Sequence, residues 1–164
     1  MNQSVVLKKI SAELITADTF KPYGQLITPA ADGAVFDETD AKLNLNNGIP
    51  RFYIMRLQAK GRKFHTITRH NLCTQCLGSL HGEEWLMAVC PPSDALEPDI
   101  DRLKAFRIPG NCFIKLEVAT WHAGPYFDRD VMDFYNLELS DTNIVDHFTY
   151  SFAARQGIEF EIVD

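Results

Sequence analysis

The chain has 164 residues, of which 46% are hydrophobic and 23% charged, and its formal net charge is −6. This length and composition predict a single globular domain spanning residues 1–164, and the acidic balance with scattered Lys and Arg excludes a nucleic-acid surface. No run approaches the ~20 apolar residues of a membrane span, and the first ten residues lack a signal-type apolar stretch, so we expect a cytoplasmic protein.

Short apolar or alternating runs dominate the chain and predict an all-β sandwich or barrel. Residues 17–23 predict one helical turn, with Asp18 as its cap, and residues 99–106 predict two turns because Ile100, Leu103 and Phe106 recur at helical spacing. Residues 28–40, rich in Pro, Ala, Asp and Gly, predict a long surface loop. The predicted strands, in chain order, are residues 25–27, 52–57, 64–70, 85–90, 112–118, 131–139, 148–152 and 158–163.

Residues 68–75 carry the most informative pattern in the chain. They have the layout of a β-barrel metal site, His-x-His-x4-Glu followed by a distant His, but Thr68 stands at the first His and Gln75 at the Glu. His70 remains, and His122 is the distant His. Because residues two apart share a face of a strand, Thr68 and His70 should enter one cavity, whereas Arg69 should point away from it. We therefore expect His70, His122 and Gln75 to form one site.

The other histidines and the cysteines favour structural interpretations. His65, His81 and His147 are interpreted as hydrogen-bonded core or surface residues. The four cysteines, which include one Cys-x2-Cys pair, are interpreted as small buried thiols in a reducing compartment; they are Cys73, Cys76, Cys90 and Cys112.

These residues resemble the ureidoglycolate lyase family over about residues 20–139. The more specific match is the combination of Arg69-His70, Gln75 and Trp121-His122. Weaker matches are Phe20-x2-Tyr23-Gly24, Asn46-Asn47-Gly48, Gly82-Glu83, Leu103-x2-Phe106 and Asp133-Phe134. The resemblance implies a cupin-like β-barrel (double-stranded β-helix) with one or two short helices. It also implies a homodimer and cleavage of ureidoglycolate to glyoxylate and urea in allantoin breakdown.

The chain departs from the family pattern at several positions. Thr68 replaces an acidic residue before Arg-His, and Asn71 replaces a Pro after it. Leu77 and Ser79 replace the usual aromatic residue and Pro, and Arg51-Phe52-Tyr53 lies one residue nearer the preceding Gly than the family's Arg-Tyr pattern. These changes concern the identity of the substrate more than the fold.

The reaction requires a base, an acid and a cation. His70 and His122, with pKa values expected near neutrality, suit the two proton transfers, and Gln75 joins them as a third catalytic residue. Arg51 is the first candidate to hold the substrate carboxylate, and Arg69 the second. Tyr53 and Trp121 are candidate walls of the substrate pocket.

The sequence leaves the metal and the activity open. His70, Gln75 and His122 either act without a metal or hold a divalent ion weakly, with nickel, manganese and zinc as candidates. The alternatives to the lyase are a non-catalytic cupin-like domain that binds a small carboxylate or ureide, and an enzyme acting on a different hydroxy acid.

Overall fold

The computed structural model describes residues 4–164, which form two β-sheets with three short helices. The larger sheet has eight strands, in the order β12 (Phe148–Ser151), β5 (Thr66–Arg69), β10 (Trp121–Tyr126), β7 (Trp85–Cys90), β8 (Lys104–Ile108), β1 (Val6–Leu14), β13 (Ile158–Val163) and β4 (Lys63–Phe64). The smaller sheet has five, in the order β2 (Gly24–Ile27), β9 (Phe113–Leu116), β6 (Gln75–Ser79), β11 (Val131–Leu139) and β3 (Pro50–Gln58). The helices are α1 (Ala17–Phe20), α2 (Thr142–Val145) and α3 (Phe152–Gln156), and a 3-10 turn spans Ile100–Arg102.

The curled sheets form a half-barrel, and the fold is the all-β, cupin-like architecture expected from the sequence. Strand β1 pairs with β8 and β13 in parallel, whereas the other strand pairs are antiparallel. Strand β4 ends the eight-stranded sheet at one side and β5 lies near its other side, although only His65 separates them in the chain. The larger sheet must therefore curl strongly.

Two apolar cores flank the larger sheet, which explains why β7 is an uninterrupted apolar run. Trp85, Met87 and Val89 face the core between the two sheets, and Leu86, Ala88 and Cys90 face the second core on the opposite side. All six residues are buried. A strand covered on both faces needs no polar alternation, so its sequence is continuously hydrophobic.

The predicted helix at residues 99–106 is wrong beyond its first turn. The 3-10 turn Ile100–Arg102 ends at Leu103, and the chain continues as β8, paired with β7 and β1. Ala105 and Phe106 face different cores, as a strand requires. The helical spacing was coincidental, because burial against two neighbouring strands outweighs local propensity here.

Other differences are local. The predicted strand 64–70 divides into β4 and β5 at His65, and β1, β6 and β10 were not predicted as strands. The cap of α1 is Thr16 rather than Asp18, since the Thr16 side chain accepts the Thr19 backbone N–H in a capping box. Residues 28–40 are a largely exposed loop, as predicted. No helix within residues 4–164 is long and apolar enough to cross a membrane.

Candidate active site

His70 and His122 lie side by side at one end of the core between the sheets. His122 is on β10 and pairs in register with Thr68 of β5, and His70 follows β5 directly. The two ring centroids are 5.0 Å apart. The segments carrying them are also joined through the backbone, since the amide of Ala119 donates to the carbonyl of His70 at 2.7 Å. The sheet thus places the two histidines together as the sequence predicted.

Asp146 holds His70 through both its backbone and its side chain. Its backbone carbonyl lies 2.6 Å from Nδ1 of His70, and its carboxylate accepts the backbone N–H groups of Asn71 and Leu72 at 2.7 and 2.8 Å. A carbonyl oxygen can only accept, so the proton of the neutral imidazole is on Nδ1. The lone pair of His70 is therefore on Nε2.

His122 has the same tautomer for the same reason. Its Nδ1 lies 3.3 Å from the backbone carbonyl of Thr120, which again can only accept. Nε2 of His122 is then unprotonated. This arrangement, in which a backbone carbonyl orients one ring nitrogen and leaves the other basic, is common to catalytic and metal-binding histidines.

Burial keeps both imidazoles neutral. It lowers the pKa of His70 below its ordinary value, although the carbonyl of Asp146 opposes this by favouring the protonated ring. Burial lowers the pKa of His122 further, to about 3, and the neighbouring His70 lowers it as well. The expectation that both imidazoles titrate near neutrality is therefore corrected: near pH 7 both are proton acceptors.

Gln75 is the first residue of β6 and has one side-chain atom without a partner. Its Nε2 donates to Oδ1 of Asn136 at 3.1 Å and to Oε2 of Glu138 at 3.2 Å. Its Oε1 is buried and has no hydrogen-bond partner among residues 4–164. A buried amide oxygen without a donor is unusual in a folded protein and indicates a place where a ligand supplies the donor or a positive charge.

The three predicted catalytic residues line one small cavity. It is bounded by His70, Cys73, Gln75, Leu116, Glu117, Thr120 and His122. In this conformation it is too narrow to hold a water molecule. A ligand larger than an ion must therefore bind at the mouth of the cavity or separate its walls.

Arg69 and Trp121 do not line this cavity. The guanidinium of Arg69 donates to the carbonyls of Ser93 and Ala95 at 2.6 and 2.7 Å and lies 4.4 Å from the Trp121 ring. Trp121 belongs to the core on the far side of the larger sheet. Strand alternation separates them from His70 and His122, so both have structural contacts in place of the predicted substrate contacts.

Arg51 and Tyr53 lie on the smaller sheet, near the network that holds Gln75. The Arg51 guanidinium lies 3.6 Å from the centroid of the Tyr53 ring. Arg51 pairs in register with Glu138, and the hydroxyl of Tyr53 donates to Glu138 at 3.2 Å. Neither residue is among those lining the cavity, but Arg51 is exposed and shares a sheet face with the buried Glu138.

Four residues of this region were not predicted as part of it: Asn136, Glu138, Asp146 and His147. The first two had a signal, because they continue the inward positions of β11 that Met132 and Phe134 occupy, so polar groups interrupt an apolar face. No pattern in the sequence indicated that Asp146 and His147 belong to this region. The His147 ring, which is exposed, lies 5.7 Å from that of His70. His65 and His81 are exposed and lie outside the cavity.

The donor atoms suit a weakly held divalent ion. No group of three or more His, Cys, Asp or Glu side chains is placed to hold a metal within the described residues. Nε2 of His70, Nε2 of His122 and the orphaned Oε1 of Gln75 nevertheless provide three neutral donors around one cavity. Neutral donors bind a cation less strongly than carboxylates or thiolates, so weak binding is the most this set supports.

The four cysteines are all free thiols, three of them buried, as interpreted from the sequence.

The model of the family described as ureidoglycolate lyase matches residues 7–151 of the chain. Among curated proteins, none matches the sequence significantly.

Proposed function

Since the chain belongs to the ureidoglycolate lyase family, an enzyme family, we propose that it cleaves ureidoglycolate to glyoxylate and urea at the cavity shared by His70 and His122. The observation that carries this proposal is the pair of neutral imidazoles, each with its basic Nε2 defined by a backbone carbonyl on Nδ1. One oriented base and a second oriented imidazole beside one cavity suit a reaction that moves protons on a small substrate.

The proposed reaction needs one proton carrier. Ureidoglycolate has a hydroxyl and a ureido nitrogen on the same carbon. Nε2 of His70 takes the hydroxyl proton, the electrons of the O–H bond form the carbonyl of glyoxylate, and the carbon–nitrogen bond breaks. The departing nitrogen then takes the proton from the His70 imidazolium and leaves as urea. Because burial disfavours the charged ring, this imidazolium is a stronger acid than imidazolium in water.

His70 is a better proton carrier than His122. The carbonyl of Asp146 and the charges of Glu138 and Asp146 all favour its protonated form, which opposes the effect of burial. His122 has one weaker carbonyl contact, and its pKa is about 3. We therefore assign the proton transfers to His70 and assign to His122 the role of a neutral hydrogen-bond acceptor for the substrate.

Arg51 is the proposed anchor for the substrate carboxylate. Its guanidinium is exposed at the face that leads to Gln75 and Glu138, and stacking on Tyr53 limits its freedom. A planar guanidinium binds both oxygens of a carboxylate at once. Tyr53 then serves as the support of this arginine.

The role of a metal stays a proposal. His70, His122 and Oε1 of Gln75 would hold a nickel, manganese or zinc ion, which when bound would polarise the hydroxyl or carboxylate of the substrate. The ion would occupy the same Nε2 of His70 that accepts the hydroxyl proton, so the metal-bound and metal-free arrangements are alternatives, and the assay with metal-stripped protein distinguishes them.

The deciding experiment measures glyoxylate and urea together after racemic ureidoglycolate is added to metal-stripped and metal-supplemented protein. Equal release of both products, lowered by about 10²–10⁴-fold in His70→Asn, supports the lyase. His65→Asn is the matched control, because His65 is exposed and outside the cavity. Absence of release under both conditions would reject this activity.

A second candidate is a non-catalytic domain that binds a small carboxylate or ureide, or an enzyme acting on another hydroxy acid. The departures from the family pattern at Thr68, Leu77 and Ser79 favour it, because they concern the identity of the substrate more than the fold. A binding domain retains its affinity for the ligand in His70→Asn, whereas an enzyme loses turnover.

A further inference from the structure

A row of polar side chains crosses three strands of the smaller sheet. Glu138 on β11 pairs in register with Arg51 on β3, and Gln75 on the neighbouring β6 donates to the Glu138 carboxylate at 3.2 Å. Glu138 is only 1% exposed, yet its side chain ends in a carboxylate. Burial of a charged group is costly unless it is fully hydrogen-bonded, so a carboxylate at this position needs an explanation.

Glu138 is the acceptor in each of its side-chain hydrogen bonds. Its carboxylate accepts from Nε2 of Gln75 at 3.2 Å, from the Tyr53 hydroxyl at 3.2 Å and from Nδ2 of Asn143 at 3.4 Å. The Tyr53 hydroxyl accepts a hydrogen bond from Nδ2 of Asn136 at 3.1 Å and donates its own hydrogen bond to Glu138. A carboxylate can only accept, and it therefore determines the direction of every bond in the network.

The orientation of the Gln75 amide follows from this network. The end of the amide that faces Glu138 must be the NH2 group, because an oxygen there would meet the carboxylate oxygens without a proton between them. Oε1 is left as the buried atom with no partner among the described side chains. Gln75 itself is 7% exposed, so bulk water does not satisfy this oxygen.

We propose that Glu138 is a positioning residue that fixes the Gln75 amide so that its Oε1 joins the two histidine nitrogens as a third hydrogen-bond acceptor at the cavity. The acceptors are Oε1 of Gln75 and the Nε2 atoms of His70 and His122. Three acceptors impose this polarity: the Glu138 carboxylate and the backbone carbonyls of Asp146 and Thr120.

These three acceptors select the end of the ligand that brings donors. Of the two ends of ureidoglycolate, the ureido group carries N–H donors, whereas the carboxylate carries only acceptors and a negative charge. The ureido end therefore lies against Gln75 and the histidines, and the carboxylate points away from them. This choice of end rests on the proposed function, but the orientation of the amide does not.

Substitution of Glu138 by Gln tests the orientation. A Gln side chain keeps the size of Glu138 and still accepts or donates, so it no longer dictates which end of the Gln75 amide faces it. We expect Glu138→Gln to lower kcat/KM for ureidoglycolate by about tenfold to a hundredfold, the effect of one mispaired buried polar group. Glu84→Gln, an exposed change of the same kind, is the control.

Exchanging the side chains of residues 75 and 138 tests whether the lost activity can be restored. In Gln75→Glu combined with Glu138→Gln, the amide of residue 138 donates to the carboxylate of residue 75, whose other oxygen again presents an acceptor to the cavity. We expect the double variant to recover most of the activity that Glu138→Gln loses. A double variant that is folded but no more active than the single variants overturns the proposal.

NMR of the Gln75 side-chain amide separates this proposal from the proposed function. Its signals, assigned by their loss in Gln75→Met, should be protected from solvent exchange in the wild type and lose that protection in Glu138→Gln. Unchanged protection overturns the positioning role even if the lyase activity is real. Absence of ureidoglycolate cleavage rejects the proposed function, while the amide signals still decide the role of Glu138. If Glu138→Gln does not fold, protection of the residue 138 amide in the folded double variant decides in its place.

Discussion

Nδ1 of His70 donates to the backbone carbonyl of Asp146 at 2.6 Å, although the two residues are 76 positions apart. The carboxylate of the same Asp146 accepts the two backbone N–H groups that follow His70. One residue thus defines both the position of the turn after β5 and the tautomer of the imidazole. This contact joins the large sheet to the segment after α2, and the chemistry of the site depends on it.

Removal of the Asp146 carboxylate should destabilise the protein. Asp146→Ala leaves the amides of Asn71 and Leu72 without their acceptor, and we expect a loss of about 2–4 kcal/mol in the free energy of unfolding. Asp146→Asn keeps one acceptor oxygen and should lose roughly half as much. Urea denaturation at neutral pH measures both values. A loss below about 0.5 kcal/mol in Asp146→Ala would contradict the clamping role.

The stability of the protein should fall as the solution becomes acidic. The folded-state pKa values of His70 and His122 are both below their ordinary value, so below about pH 6.5 the unfolded chain binds more protons than the folded one. The contribution of these neutral imidazoles is complete above that pH. For His122 it is lost progressively as the pH falls from about 6.5 toward about 3.

His122→Asn isolates this effect, because Asn has no group that titrates in this range. We expect the variant to lose less unfolding free energy than the wild type between about pH 7 and about pH 5, since each unit of pKa depression corresponds to about 1.4 kcal/mol. Denaturant titrations at both pH values give the comparison. Identical pH dependence in the two proteins would show that His122 is not kept neutral by the fold.

Substitution of Arg69 should affect stability, whereas substitution of Arg51 should affect substrate binding. Arg69→Ala removes two hydrogen bonds to carbonyls and the contact with Trp121, so we expect a loss of about 2–4 kcal/mol in stability with KM little changed. Arg51→Ala should leave stability within about 0.5 kcal/mol and raise KM about tenfold or more, because Arg51 is exposed. Thermal melts and steady-state kinetics on both variants make the test. The reverse pattern would assign the substrate carboxylate to Arg69.

The edge of the smaller sheet offers a surface for the homodimer that the family resemblance implies. Within residues 4–164, β3 has a strand partner on one side, β11, and its outward residues Phe52 and Ile54 are 71% and 63% exposed. Edges of this kind favour pairing with another chain. We expect Ile54→Lys to raise the dimer dissociation constant at least tenfold, measured by sedimentation. Val145→Lys, an equally exposed apolar position away from β3, is the control. A monomeric wild type, or a dimer that tolerates Ile54→Lys, contradicts this interface.

The opposite faces of Arg69 and His70 were predictable from the sequence, but the expectation that Thr68 enters the cavity with His70 was wrong, since its hydroxyl lies 3.0 Å from that of Thr149 and it does not line the cavity. Alternation alone placed Arg69 opposite His70, and the structure has Arg69 against Trp121 and His70 at the cavity. The apolar run of β7 was likewise predicted with correct bounds, because its pattern is local and strong. The motif spacing also predicted that His70, Gln75 and His122 meet, and all three line the same cavity.

Interactions between distant segments were not predictable from the sequence. Residues 99–106 show helical spacing but form mainly a strand, because neighbours far away in the chain cover both faces. Glu138 reaches Gln75 across 63 positions, and Asp146 reaches His70 across 76. Local pattern therefore determined the fold class, the faces of the strands and the identity of the paired histidines. The tertiary structure alone decided which carbonyls and carboxylates accept hydrogen bonds from these residues. Their tautomers, pKa values and hydrogen-bonding polarity follow from those contacts, because each depends on groups that only the pairing of distant strands brings within about 3 Å.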